Sequence, residues 1–129
     1  MNKSSRGFTV IEIIIVIAIL SFASVVFFVQ KNNIEVAARD EQRKTAINAM
    51  YYGLEEVYFT QNGHYPRTIN AETLPSVAPE LFKDVKGVAM GESDSEYRYE
   101  ATNCTDTICK NYTLRTILEN EDDYIKKNR

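Results

Sequence analysis

A run of 22 residues, from Phe8 to Val29, constrains this chain most, because it holds a single charged side chain, Glu12. At 1.5 Å per helical residue the run spans about 33 Å, which matches the hydrocarbon core of a bilayer. The apolar core of a secretory signal is usually shorter, about 7 to 15 residues. We therefore predict a retained membrane-spanning helix, with a removable secretory signal as the alternative.

The remainder of the chain is polar and short. The sequence has 129 residues, 26% of them charged, and a formal net charge of −3. The hundred residues after the apolar run can bury one modest core, which argues against a multi-domain enzyme with a large cleft. No stretch is rich enough in Lys and Arg to indicate nucleic-acid binding, so none is expected.

The orientation of the span is ambiguous from charge alone. Basic residues before the run are Lys3 and Arg6, and those after it are Lys31, Arg39, Arg43 and Lys44. Counting bases would place the C-terminal part in the cytoplasm. Cys104 and Cys109 argue the other way, because two cysteines are too few for a zinc site and fit a local disulfide in an oxidising compartment. Two unpaired thiols are the alternative.

Glu12 is the residue in the span that demands an explanation. An ionisable side chain at the centre of a membrane helix costs about 2.5 to 3.5 kcal/mol on insertion scales, so it is expected to have a partner or a function. Its position near the start of the span also allows a carboxylate that reaches the interface. Position alone does not separate these two interpretations.

The sequence RGFTVIE followed by the apolar run resembles the N-terminus of type IV pilins and of the pseudopilins of type II secretion. The resemblance implies a leader at residues 1–7 that prepilin peptidase removes by cutting between Gly7 and Phe8. It also implies N-methylation of Phe8 and places Glu12 at the fifth position of the mature chain.

This resemblance gives Glu12 a possible partner. Cleavage would convert the amide nitrogen of Phe8 into an α-amine, which is mostly protonated at neutral pH. An amine and a carboxylate attract strongly in an apolar bundle, and each is costly there alone. The resemblance implies that Glu12 pairs with Phe8 of a neighbouring subunit and so sets the register of assembly, whereas pairing within one chain is the alternative.

Two positions depart from the pilin pattern. Ser21 and Val29 stand where many pilins have glycine and proline. Without that proline nothing forces a break in the helix at the end of the span. The locally unwound helix of many pilus filaments is therefore in doubt here, although the polar residues 30–33 remain a possible soft spot.

Helical spacing continues beyond the span. One apolar stripe is formed by Ile47, Met50, Tyr51, Leu54, Val57 and Tyr58. We predict one helix from about Phe8 to Gln61, ended by Asn62-Gly63. The polar stretch 39–44 is interpreted either as a solvated surface or as a contact with neighbouring subunits.

The remaining pattern indicates a loop and then strands. Residues 64–82 read as a wrapping loop with a helical turn at Pro79–Phe82, and Val85 to Met90 is a short strand candidate. Alternating residues at 97–102 and 112–118 predict a hairpin stapled by the cysteines. The segment from Glu119 onward is expected to fray.

These elements predict an α+β, pilin-like fold: one very long N-terminal helix, at about 8–61, packed on a small C-terminal antiparallel sheet. The predicted organisation is a leader at 1–7, a transmembrane or filament-core helix at 8–29, and a periplasmic or extracellular head at 30–129.

Catalytic or metal-binding chemistry is not indicated. His64 is the sole histidine and no nucleophile and base set can be assembled, so the chain is not expected to be an enzyme. No cofactor is expected. The acidic clusters at 92–96 and 119–123 lack the spacing of a known calcium loop and are interpreted as solvated acids, with a calcium site as the alternative.

The sequence therefore predicts a structural subunit of a type IV pilus or a pilus-like filament. Expected partners are further copies in a helical homopolymer, other pilins, prepilin peptidase, the inner-membrane assembly platform and, for the precursor, the membrane. The precursor would cross the cytoplasmic membrane once before it joins a surface or periplasmic filament. The alternatives are a membrane-anchored binding domain that does not polymerise, and a pseudopilin of a type II secretion system.

Overall fold

The structure is a computed structural model, and it describes residues 7–129. Two units are distinguished within the chain, one up to Glu35 and one from Val36 to Arg129. The elements are α1 (Val10–Tyr52), a π-helical segment (Gly53–Tyr58), α2 (Phe59–Asn62), β1 (Tyr65–Pro66), a 3₁₀ turn (Pro79–Phe82), β2 (Tyr97–Thr105), β3 (Ile108–Thr116) and β4 (Tyr124–Lys127). The leader, apart from Gly7, lies outside the described residues.

Helix α1 has 43 residues, because the sequence contains neither glycine nor proline between Phe8 and Tyr52. It begins at Val10, two residues after the predicted start, and it is unbroken through residues 29–33. The helix end is confirmed: Gly63 adopts a left-handed conformation with φ +71° and donates its N–H to the carbonyl of Phe59.

The π-helical segment was not predicted. It begins at Gly53, where an added Cβ would lie 2.8 Å from Cγ2 of Val77 in the wrapping loop. The extra residue in a π turn rotates the residues after it relative to α1. Ile47, before the segment, and Leu54, near its start, are fully buried, whereas Val57, predicted in the same stripe, is half-buried.

Strand β3 is the centre of the sheet that the described residues form. It pairs antiparallel with β2 along one edge, and with β1 and β4 at successive positions along the other. The β2–β3 register runs from Tyr97 opposite Thr116 to Thr105 opposite Ile108, which confirms the predicted hairpin. Together with the helix, this sheet confirms the predicted α+β arrangement.

The alternation of inward and outward side chains in the hairpin shifts by one residue near its tip. In β2 the inward residues are Tyr97, Tyr99 and Ala101, and the next one is Cys104 rather than residue 103. Asn103 has φ +54°, which alters the direction of the backbone at that point. The shift turns both cysteines toward the core, where Cys109 is fully buried.

The core of the second unit lies between the C-terminal part of α1, the wrapping loop and the inner side of the sheet. Its largest fully buried side chains are Tyr97, Tyr112, Ile47, Met50, Leu54, Leu74 and Leu114. Every buried side-chain nitrogen or oxygen among the described residues has a hydrogen-bond partner. The buried polar side chains within residues 36–129 therefore carry no unpaired nitrogen or oxygen.

Two secondary-structure predictions were wrong. Val85 to Met90 is a loop with one isolated bridge, between Lys83 and Ala89. The carboxylate of Asp84 accepts the N–H groups of Lys86 and Val88 and so stabilises turns rather than a strand.

The segment after Glu119 is ordered rather than frayed. It forms β4, and the Tyr124 hydroxyl donates to Oδ1 of Asn48 on α1 at 2.9 Å. The ammonium group of Lys126 lies over the ring of Tyr51, 5.3 Å from its centroid. Contacts with distant residues thus order a segment whose composition suggested a free tail.

Candidate functional site: the N-terminal segment and the polar contacts of the head

The predicted cleavage site lies outside the helix. Gly7, Phe8 and Thr9 are not helical, and all three are exposed. An added Cβ at Gly7 would meet no atom of the described residues within 4 Å. Packing within residues 7–129 therefore does not require glycine at this position.

Glu12 lies in the first turn of α1 and contacts Thr9. The Thr9 N–H donates to Oε2 of Glu12 at 3.3 Å, and the Thr9 hydroxyl donates to the same oxygen at 3.4 Å. In return the Glu12 N–H donates to Oγ1 of Thr9 at 3.3 Å. This reciprocal arrangement is a capping box, so Glu12 also has a local role. Sequence reasoning missed it, although Thr9 and Glu12 have the three-residue spacing of the motif.

The helical surface after Glu12 is apolar all round. Every residue from Gly7 to Glu35 is exposed. The Ser21 hydroxyl donates to the carbonyl of Ile17 at 2.8 Å, and the Ser24 hydroxyl donates to that of Leu20 at 2.7 Å. These serines need no external partner in an apolar medium. Among the described residues one helical stretch, Val10–Asn62, contains a window long and apolar enough to cross a membrane.

Arg43 is the centre of an ion-pair network in the head, although its segment was predicted to face solvent or neighbouring subunits. The Arg43 side chain is buried and donates to Asp40, Glu96 and Glu119 at 2.9 Å each. The Asp40 carboxylate also accepts the backbone N–H groups of Glu119 and Asn120. The network joins α1 to the loop before β2 and to the segment between β3 and β4.

The charged groups in this network shift one another's pKa values. Burial alone would raise the pKa of Asp40, but the backbone N–H groups of Glu119 and Asn120 and the Arg43 guanidinium outweigh it and lower that pKa. Hydrogen bonds from Arg39 and Arg43 lower the pKa of Glu119 to about 2. Both carboxylates are therefore ionised in the folded head at neutral pH.

A second buried carboxylate lies in the π-helical segment. Glu55 accepts hydrogen bonds from the hydroxyls of Tyr112, at 2.7 Å, and Tyr65, at 3.1 Å. Burial, followed by the hydrogen bond to Glu55, raises the pKa of Tyr65 to about 12 and raises that of Tyr112 further. Both tyrosines therefore remain protonated donors, which is what a buried carboxylate needs.

The hairpin contains a disulfide between Cys104 and Cys109, which are directly opposite each other in the register. Of the two open alternatives, the paired state is the one in the structure. The bridge closes a short loop, so its effect on the unfolded chain is small compared with that of a long-range disulfide.

The remaining candidate residues do not form a chemical site. His64 accepts or donates one hydrogen bond, to the carbonyl of Asn62, at 2.9 Å. Within residues 7–129 no group of three or more His, Cys, Asp or Glu side chains could hold a metal ion. Three members of the two acidic clusters pair with basic residues instead: Glu96 with Lys86 and Arg43, Glu119 with Arg39 and Arg43, and Glu121 with Lys44.

Sequence reasoning thus predicted the disulfide that the structure contains but missed the Arg43 network and Glu55. The cleavage bond and the assembly role of Glu12 stay predictions. The one local signal was the charged stretch 39–44 in the middle of a helix. Its partners lie 53 and 76 residues away in sequence, at Glu96 and Glu119, where no pattern links them to Arg43.

Comparison with known proteins supports the assignment of the N-terminus. The family model of the prokaryotic N-terminal methylation motif matches residues 2–28. This motif is the signature of type IV pilins and pseudopilins, and it supports a pilin or pseudopilin that prepilin peptidase processes. No curated protein and no solved structure matches the chain.

Proposed function

Because the chain carries this motif, we propose that it is a structural subunit of a type IV pilus or a pilus-like filament. Prepilin peptidase cuts between Gly7 and Phe8 and methylates the new N-terminus, and the mature chain then polymerises. The observation that carries the proposal is the exposure, in a single chain, of the whole apolar run from Phe8 to Val29, which is helical from Val10 onward.

Such a surface requires an apolar environment. The exposed fraction is 77% for Phe8, 67% for Ile11 and 69% for Phe28, and the residues between them are similar. Soluble monomers rarely expose a contiguous apolar patch larger than a few hundred Å². A helix that is apolar on all sides is buried on all sides, first by lipid and later by the helices of neighbouring subunits.

In this proposal the chain is a substrate and a building block rather than an enzyme. The exposed, non-helical segment around Gly7 and Phe8 suits cleavage, since a peptidase needs access to the backbone of the bond it cuts. Cleavage supplies the α-amine of Phe8, the cation that Glu12 of a neighbouring subunit pairs with in the apolar filament core.

The proposed route begins in the cytoplasmic membrane. The precursor crosses it once, with the head on the far side, where the Cys104–Cys109 disulfide is stable. The assembly platform in that membrane extracts the mature helix into a filament at the cell surface or in the periplasm. Further copies of this chain and other pilins are the partners in that filament.

Processing is tested by mass spectrometry of the cellular protein. We expect an N-terminus at Phe8 that carries one added methyl group. An N-terminus at Met1 would instead support a single-span anchored domain that does not polymerise, and one near Ser24 would indicate a removed secretory signal.

Assembly is tested with Glu12→Ala. We expect normal membrane insertion but at least tenfold fewer filaments, because the neighbouring amine loses its partner. Glu35→Ala is the matched control, since Glu35 is also exposed on α1 and its ion pair with Lys31 is long, at 3.7 Å. Filament yield at the wild-type level from Glu12→Ala would contradict the role of Glu12 as the partner of the neighbouring amine.

A deletion strain separates a pilin from a pseudopilin. Loss of surface filaments indicates a pilus subunit, and loss of protein secretion with surface filaments retained indicates a pseudopilin. The second result would keep the assembly mechanism and change the machine in which it operates.

A further inference from the structure

One carboxylate oxygen of Glu12 already accepts hydrogen bonds within its own chain, before any neighbouring subunit binds. Both hydrogen bonds from Thr9, at 3.3 Å from its N–H and 3.4 Å from its hydroxyl, go to the same carboxylate oxygen, Oε2. Oε1 of Glu12 has no hydrogen-bond partner among the described residues. Oε2 of Glu12 is therefore fixed by Thr9, and Oε1 can accept a hydrogen bond from another molecule.

The capping box survives processing. Its three hydrogen bonds join groups of Thr9 and Glu12 only, and both residues lie after the bond between Gly7 and Phe8. In an apolar environment water does not satisfy the N–H groups at the start of a helix, so these bonds become more important after the segment leaves water.

We propose that Thr9 is a positioning residue for assembly. It fixes Oε2 of Glu12, so that Oε1 is presented to the α-amine of Phe8 in a neighbouring subunit. This inference rests on the proposed function and extends it, since it assigns a role to a residue that does not itself pair with the incoming subunit.

The expected size of the effect depends on side-chain ordering. A glutamate held by Thr9 has already lost most of its rotamer freedom, whereas a free one loses it when the neighbouring amine binds. Immobilising one flexible side chain weakens association by roughly two- to tenfold. Thr9→Val removes the hydroxyl but keeps the Thr9 N–H bond to Oε2, so it frees Glu12 only in part. It should therefore reduce assembly by no more than that factor, less than loss of Glu12 itself.

The test compares Thr9→Val, which has the same shape without the hydroxyl, with Thr9→Ser, which keeps it. Both are made in the full-length chain and expressed with its own processing and assembly machinery. The amount of protein in sheared filaments is divided by the amount of processed, methylated subunit from mass spectrometry. We expect a two- to tenfold reduction for Thr9→Val and recovery to near the wild-type level for Thr9→Ser.

The outcomes separate this inference from the proposed function. Wild-type assembly of Thr9→Val, or equally poor assembly of Thr9→Ser, overturns the role of Thr9. A defect of Thr9→Val in processing alone also overturns it, because the residue would then act on cleavage. Normal assembly of Glu12→Ala in the same experiment contradicts the pairing role of Glu12, on which this inference rests. Absence of the wild-type chain from sheared filaments contradicts the proposed function itself.

Discussion

The two parts of this chain differ in how their apolar side chains are removed from water. In residues 7–35 every residue is exposed, and the described polar contacts are local. In residues 36–129 the apolar side chains form a core, and the buried polar atoms pair across long sequence distances. One part needs other molecules to bury its surface, and the other does so alone.

This difference between the two parts predicts which measurement will detect the effect of a substitution. A change in the N-terminal segment should alter insertion or assembly and leave the unfolding of the head unchanged. A change in the head should alter its free energy of unfolding directly. Substitutions in the head and a change of pH test this difference. They are given from the largest expected effect to the smallest.

Arg43→Ala should destabilise the head most. It leaves the carboxylates of Asp40 and Glu96 without their buried cation, and breaking a buried pair on one side typically costs about 3 to 5 kcal/mol. The measurement is urea unfolding of the full-length chain in detergent, followed by tyrosine fluorescence.

Lys44→Ala is the control, because its ion pair with Glu121 is more exposed and should contribute much less to the free energy of unfolding. Equal effects of Lys44→Ala and Arg43→Ala would mean that the Arg43 network does not join the elements of the head.

Gly53→Ala distinguishes helix propensity from packing. Alanine is preferred to glycine in a helix by about 1 kcal/mol, so propensity alone predicts stabilisation. The added Cβ would lie 2.8 Å from Cγ2 of Val77, and overpacking of this kind typically costs about 1 to 3 kcal/mol. We expect net destabilisation in the same unfolding experiment.

The second substitution Val77→Ala makes the space that the new methyl group needs. Gly53→Ala should therefore be less harmful in that background than in the wild type. The same loss of stability in both backgrounds would show that the wrapping loop does not dictate glycine at position 53.

Acidic pH should weaken the head by the smallest amount. Asp40, Glu96 and Glu119 have pKa values below those of free carboxyls, so the unfolded chain binds more protons than the folded one. Their contribution to the free energy of unfolding is present above about pH 4.5. It is lost as the pH falls toward about 2, the pKa of Glu119.

We therefore expect the unfolding temperature to fall by a few degrees across that range. Glu119→Gln should make this decrease shallower, since it removes one of the three groups. An unchanged slope in Glu119→Gln would exclude Glu119 as a source of the acid sensitivity.

Much of the fold could be predicted because its signals are local. The apolar run and the helical spacing after it predicted the long α1, Asn62-Gly63 predicted its end, and period-two alternation predicted the β2–β3 hairpin. The errors occurred where a local signal was weak. Polar composition suggested that β4 would fray, and a short apolar run suggested a strand where Asp84 stabilises turns.

The sequence by itself determined the N-terminal segment: its length, its apolarity, the cleavage motif and the single carboxylate at Glu12. Each of these features depends on neighbouring residues, so a linear pattern contains it. Only the tertiary structure decided that Arg43 is buried among acids, that Glu55 binds two tyrosines and that the C-terminal residues form a strand. Arg43 reaches Glu96 and Glu119 over 53 and 76 positions, and Glu55 reaches Tyr112 over 57. The stability of these contacts comes from burial that no local pattern records.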